Sequence, residues 1–415
     1  IIQDELHLIS GSLGTMVGLY ETAIDLLCSR KGLKPKIIAS TATIRRSKDQ
    51  CRSLYAREVR QFPAPGLNSE DSFFAKESEI SKITPGRLYV GVMPSGKTST
   101  TMQVRLLADS IQGVELLEAD DDVKDKYWTQ VVYCNSIREL GTSKSIIYDD
   151  VKEYSKRLSD RLGVKPRYYS DKAVEELTSR IPAETIPEIL QKLEIKYPSR
   201  EAIDILLATN MISVGVDINR LGLMMVLGQP KTTSEYIQAS SRVGRSYPGL
   251  VVTLYSPVKS RDRSHFEQFI KYHQALYRYV EPTSVTPFSS PVRNKALHAV
   301  LIILIRHLLG YATNDSLEGF NVESEEMQMV VKEILARVSV VDPAEVETTK
   351  IDVSGLIERI KELQQLETGI SYDNIRNSEK IPLLRKPGDK SKGIYATPQS
   401  LRNTDAECYV SIDYS

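Results

Sequence analysis

The 415-residue chain predicts an α/β protein with mainly parallel sheets, followed by a mostly α-helical C-terminal region. Short runs of β-branched and apolar residues recur along the first 256 positions, each bounded by turn residues. Helix-period segments lie between them, the arrangement of strands joined by helical crossovers. From about Arg261 the strand-like runs stop and the helical period continues.

In chain order, Ile1 and Ile2 are expected to end a buried strand whose acidic residues emerge at its carboxyl edge. A helix over Leu13–Cys28 and a second buried strand, KIIASTAT over Lys36–Thr43, follow. Phe62–Glu79 mixes proline, glycine and charge and reads as a connector. Further strands are expected at Leu88–Val92, Gln130–Cys134, Ala202–Thr209, Leu223–Gly228 and Val251–Ser256. The apolar run Ala296–Tyr311 is shorter than a membrane span and carries Arg306 and His307, so it predicts a buried helix. EEMQMVVKEILARV and LIERIKELQQL are also helical in period, and no internal repeat is visible. The expected divisions are 1–61, a connector at 62–85, a second α/β region at 86–260 and a helical region at 261–415. The abrupt opening, IIQDELHLIS, leads us to expect a portion upstream of Ile1.

Lys plus Arg equals Asp plus Glu, at 54 each, so bulk charge neither predicts nor excludes nucleic acid. Cys28, Cys51, Cys134 and Cys408 are far apart and form no C-x-x-C pair. A zinc site or disulfide framework is therefore not expected, which fits a cytoplasmic, reducing environment.

QDELH places adjacent acids after two apolar residues. At a strand end this pair suits magnesium chemistry, with Asp4 binding the ion and Glu5 taking a proton from the attacking water. Thr41 and Thr43 would sit at the second strand end, able to hydrogen-bond His7. LLATNMISVGVDI puts a strand before a turn holding Thr209, Gly215 and Asp217. In QASSRVGRS, Arg242 and Arg245 are spaced to share a face if helical, and arginines presented to a γ-phosphate stabilise charge in phosphoryl transfer.

In this order the motifs resemble those of superfamily 2 DExH helicases. Motif II corresponds to Asp4-Glu5-Leu6-His7, motif III to Thr41-Ala42-Thr43 and motif IV to Val132 to Ser136. Motif V corresponds to Ala208 to Asp217 and motif VI to Gln238 to Arg245, so the match spans residue 1 to about 256. Motif III more often reads Ser-Ala-Thr, and motif VI usually has glycine where Ser241 stands; neither departure removes a charge. The wording of QDELHLISGSLGTMVGLYE, ASTATIRR, FPAPGLNSEDSFFA and TPQSLRNTDAEC is similar to helicase subunits of DISARM anti-phage defence systems.

The resemblance implies two RecA-like lobes, the first partial, that close on ATP and move along a strand, with DNA and a partner protein of the same system as partners. Asp4 and Glu5 would serve magnesium and the attacking water. Gln238, Arg242 and Arg245 would face the γ-phosphate, with Gly215 and Asp217 meeting the nucleotide or the arginines. Thr209 and Asn210 would face the nucleic-acid backbone, while Thr41, Thr43 and His7 would link hydrolysis to lobe movement. Ser179 and Arg180 are further backbone candidates, and Ser136 and Ser179 stay open between helix capping and phosphate contact.

GVMPSGKT, Gly91 to Thr98, matches a phosphate loop between a strand and a helix. Motif order instead makes it a turn through Pro94 and Gly96 into a helix capped by Ser95 or Thr98, with amides and Lys97 able to meet an anion such as a DNA phosphate. In superfamily 2 the phosphate loop precedes motif II, so this stretch of chain is expected to lack a complete ATP site. The rival readings are a P-loop kinase or GTPase and a non-catalytic module that binds DNA or a partner. KSRDRSHFEQFIKYHQALYRYV interleaves basic and aromatic residues that could stack on single-stranded nucleic acid, but an aromatic stripe packed into the core is preferred. His265, His273, His298 and His307 show no ligand spacing.

Overall fold

The computed structural model describes the chain except residues 30, 42–46, 65–66, 68–73, 75–80, 82–85, 183, 214–216, 375–378, 387–392, 399–400 and 402–415. It divides into two compact units, Ile1–Phe62 with Pro282–Ser415, and Pro63–Glu281.

In the first unit, strand β1 (Ile2–Gln3) pairs in parallel with β2 (Ile38–Ala39). Both strands were expected to be buried. Ile2 and Ile38 are register partners yet remain 84% and 57% exposed, because among the described residues these strands pair only with each other. The helix Gly11–Ser29 covers the expected Leu13–Cys28 and buries Met16, Leu19 and Ala23 in a core shared with the helices Ser290–His307, Glu325–Val341 and Val346–Gln364. Ala296, Leu297, Val300, Leu301 and Leu304 of the predicted apolar helix lie inside that core. Each of these buried valine and leucine side chains stabilises the fold by about 1.5–3 kcal/mol through burial.

Charge completes the association of the two segments. Arg337 donates to the Leu54 carbonyl at 2.5 Å and pairs with Asp25 at 3.2 Å, while Arg57 pairs with the same Asp25. Residues 1–62 and 282–415, expected as separate regions, thus form one unit. The mostly helical C-terminal region also carries two short parallel pairs, Ile370–Ser371 with Ile381–Pro382 and Leu384–Arg385 with Tyr395–Ala396.

The second unit is built on β3 (Arg87–Val92), β4 (Gln130–Cys134), β5 (Val174–Leu177), β6 (Ile205–Ala208), β7 (Leu223–Leu227) and β8 (Gly249–Leu254). All neighbours are parallel, in the order β3-β8-β7-β4-β6-β5. β4, β6 and β7 are buried throughout, as expected for a parallel sheet covered on both faces. Val131, Tyr133, Leu206, Met224 and Val226 fill one face; Val132, Cys134, Leu207, Met225 and Leu227 fill the other. Residues 261–281, expected at the head of the helical region, belong to this unit, and Tyr272 is buried in its core. No helix among the described residues is long and apolar enough to cross a membrane.

Candidate functional site

In the first unit the chain leaves β1 and turns at Glu5, whose backbone is left-handed (φ 52°). The turn is pinned by the Leu6 amide donating to the Ser40 carbonyl at 2.9 Å. Asp4 accepts from the Glu5 amide at 2.8 Å and from the Ser40 hydroxyl. These two bonds, Ser40 foremost, hold its carboxyl below the usual carboxylate range. His7 lies 3.4 Å from the Glu5 carboxylate and 3.4 Å from the Thr41 hydroxyl, so the structure brings together Asp4, Glu5, His7 and Thr41. Thr43 lies outside the described residues.

The buried Gln50 donates to the carbonyls of Leu6 and Ile9, at 3.3 and 2.7 Å, and so fixes the far side of this loop. It stands more than forty positions downstream, and nothing in its neighbourhood marks it.

In the second unit, the expected residues emerge at the carboxyl ends of the strands, where parallel sheets bind ligands. Ser179 and Arg180 follow β5, Thr209 and Asn210 follow β6, and Ser136 follows β4; these three strands are adjacent. Ser179, Arg180 and Asn210 are exposed. Arg180 pairs with Glu176 at 2.9 Å. Ser136 caps the helix Ile137–Ile146 by accepting from the Glu139 amide at 3.2 Å; a hydroxyl that accepts in this way can still donate to a phosphate. Thr209 is buried, with its amide on the Leu177 carbonyl at 3.3 Å.

The amino ends of the same strands are built differently. Arg167 pairs with Asp204 at 2.5 Å just before β6, and Arg220 pairs with Asp125 at 2.9 Å just before β4, all of them buried. Such closed pairs hold structure rather than substrate.

Gln238 lies buried on the helix Thr233–Ser240. Arg242 and Arg245 follow that helix and do not share a helical face as expected. Gly244 between them takes φ +67°, and a Cβ there would lie 2.7 Å from the Gly249 backbone. Arg245 forms an ion pair with Asp217, joining two predicted residues 28 positions apart. Gly215 lies outside the described residues.

Arg87 was not anticipated. From the first position of β3 it donates to the carbonyls of Val243 and Ser241, at 2.6 and 3.1 Å, and so clamps the arginine loop. Asp262, read as part of a basic stretch, is buried and accepts from the amides of Gln229 and Ser256, at 3.1 and 2.8 Å, just beyond β7 and β8. Phe266 and Phe269 pack edge-on against Tyr255 and Tyr272 is buried, as the core reading of that stretch expects, whereas Tyr277 is 70% exposed and departs from it.

GVMPSGKT forms the end of β3, a loop and the start of the helix Ser99–Glu115. Thr98 is the cap, accepting from the Thr101 amide at 3.1 Å.

Residues 129–247 match the helicase conserved C-terminal domain. Over that span the chain carries a helicase conserved C-terminal domain. The chain is 44% identical over 386 residues to the DISARM protein DrmA of Bacillus paralicheniformis, a match covering 91% of the chain and 34% of the relative. It therefore spans about a third of the length of that curated relative. Its fold is similar to that of the DUF1998 helicase MrfA bound to DNA, with a TM-score of 0.51, 17% identity, and coverage of 73% of this chain and 35% of that one. MrfA bound to DNA and AMPPNP gives a TM-score of 0.50, also at 17% identity, over 73% of this chain and 36% of that one.

Proposed function

We propose that the chain is part of an ATP-dependent helicase or translocase that moves along nucleic acid, DNA foremost, in bacterial anti-phage defence beside a partner protein of the same system. One observation carries this reading. Ser179 and Arg180, Asn210, and Ser136 emerge exposed and side by side at the carboxyl edge of one parallel sheet, a row of donors suited to a phosphate backbone, with Thr209, just before Asn210, buried. The DISARM relative and the DNA-bound MrfA structures support the system and the ligand.

Asp4 is fixed by two hydrogen bonds and ionised, which fits a magnesium ion that takes one or two carboxylates and completes its shell with water and phosphate oxygens. Asp4 would hold the ion with Glu5 beside it; when bound, magnesium neutralises charge on the phosphates of ATP. Glu5 takes the proton of the attacking water, and its left-handed backbone fixes where that carboxylate leaves the chain. Arg242 and Arg245 supply positive charge to the γ-phosphate, with Arg245 kept oriented by Asp217 until it engages. Gln238 stands beside them, and Thr41 with His7 relays the state of the acidic loop to β2.

Glu5→Gln in the intact protein is expected to lower ATP turnover by about 100-fold or more, with DNA binding retained. Turnover within a few-fold of the wild type would remove Glu5 as the base.

A further inference from the structure

Glu281, Pro282 and Thr283 span the boundary between the two units. Within the sheet unit, Glu281 accepts the Thr233 amide with both carboxylate oxygens, at 3.0 and 2.9 Å, and the Thr233 hydroxyl at 3.0 Å. Thr233 is the first residue of the helix that carries Gln238 and leads into the arginine loop. Its amide is one of the donors a helix start leaves unsatisfied, and a carboxylate there also meets the positive end of the helix dipole. The anchor is reinforced from below. Gln229 donates to the Tyr272 hydroxyl at 3.0 Å, Tyr272 donates to the Thr233 hydroxyl at 3.1 Å, and Val280 is buried beside Glu281.

Within the other unit, the Thr283 hydroxyl donates to the Gln50 side-chain carbonyl at 3.1 Å. Gln50 is the residue whose amide holds the Leu6 and Ile9 carbonyls, and hence the loop of Asp4, Glu5 and His7. Val285, two residues on, is buried with Leu6, Cys51 and Leu54, and the Thr286 amide donates to the Thr15 hydroxyl at 3.1 Å. A single proline separates the two anchors along the chain, and its ring fixes one backbone dihedral of that short link.

We propose that Glu281–Pro282–Thr283 is a coupling strap, and that Glu281 and Thr283 are positioning residues that tie the arginine-bearing segment to the acidic loop through the chain itself. Nucleic acid bound at the carboxyl edge of the sheet then alters hydrolysis by pulling on the loop of Asp4 and Glu5 through these residues. The inference rests on the helicase reading above.

Two glycines inserted between Pro282 and Thr283 of the intact protein leave both sets of hydrogen bonds available and slacken only the link. ATP turnover is measured with and without single-stranded DNA, alongside thermal unfolding. The expected result is DNA-free turnover and Tm close to wild type, with stimulation by DNA reduced about fivefold or more. Stimulation within twofold of wild type overturns the strap. Should the insertion lower the Tm, Thr283→Val carries the test with the same two outcomes, and Thr283→Ser, which keeps the hydroxyl, is expected to restore stimulation. A wild-type protein that shows no ATP turnover overturns the helicase reading and the strap with it, and differs from failure of the strap alone, in which wild type and variants are stimulated equally.

Discussion

The acidic loop Asp4–His7 stands on two-residue strands whose isoleucines face water, whereas the arginine loop Ser241–Arg245 stands on a sheet whose β4, β6 and β7 are buried throughout. The first is held by local hydrogen bonds, from Ser40 to Asp4 and from Gln50 to Leu6 and Ile9, around one residue in the left-handed region. That backbone costs about 1–2 kcal/mol for a residue with a Cβ. The second is held by packing, with Gly244 against Gly249 and Arg87 laid across the loop's carbonyls. Changes near Asp4 should therefore act mainly on rate, and changes near Arg242 on rate and stability together.

The largest loss of stability is expected from Gly244→Ala. A Cβ at this position meets the Gly249 backbone at 2.7 Å and must also adopt φ +67°, so both sterics and backbone conformation oppose it. A loss of about 3 kcal/mol or more in denaturant unfolding is expected, together with loss of ATP turnover as the two arginines move. An unchanged midpoint would show that packing does not hold this loop, and the contrast between the two regions would fail.

Gln50→Leu tests the other half. It removes both donors to the Leu6 and Ile9 carbonyls while filling similar space, at a cost of about 1–3 kcal/mol. Turnover is expected to fall on the order of tenfold as Glu5 loses its fixed position, with DNA affinity unchanged. If stability falls as far as in Gly244→Ala while turnover stays normal, the acidic loop is held by packing as well.

How far the sequence reached differs along the same line. Gln130–Cys134 and Leu223–Leu227 were legible almost to the residue, because a strand buried on both faces must be a continuous apolar run. β5 escaped because Glu175 and Glu176 interrupt its apolar pattern; at the sheet edge, Glu175 reaches Lys192, and Glu176 accepts from Thr178 and Arg180. Asp4, Glu5, His7, Thr41, Asp217 and Arg245 could be named because each lies in a contiguous motif, and the structure pairs His7 with Thr41 and Arg245 with Asp217. Arg87, Gln50, Glu281 and Thr283 could not. Each acts on a carbonyl, amide or side chain more than forty positions away, and only the tertiary fold creates those pairings.

The smallest effect is expected from Lys97→Ala, which bears on GVMPSGKT. Gly91 lies inside β3, and a Cβ there would lie 2.7 Å from the Phe269 ring, so that glycine serves packing rather than close approach to a phosphate. The helix beyond is already capped by Thr98, and Lys97 is exposed. An exposed lysine with these neighbours is worth less than about 0.5 kcal/mol to the fold. ATP turnover should stay within twofold, and DNA affinity should fall modestly and less so at high salt, as for a single phosphate contact. A phosphate-loop lysine reaches the β- and γ-phosphates directly, so its removal would instead strike ATP turnover. A loss of turnover on the scale of Glu5→Gln would therefore move the nucleotide to β3, and the division of labour between acidic loop and arginine loop would have to be redrawn around it.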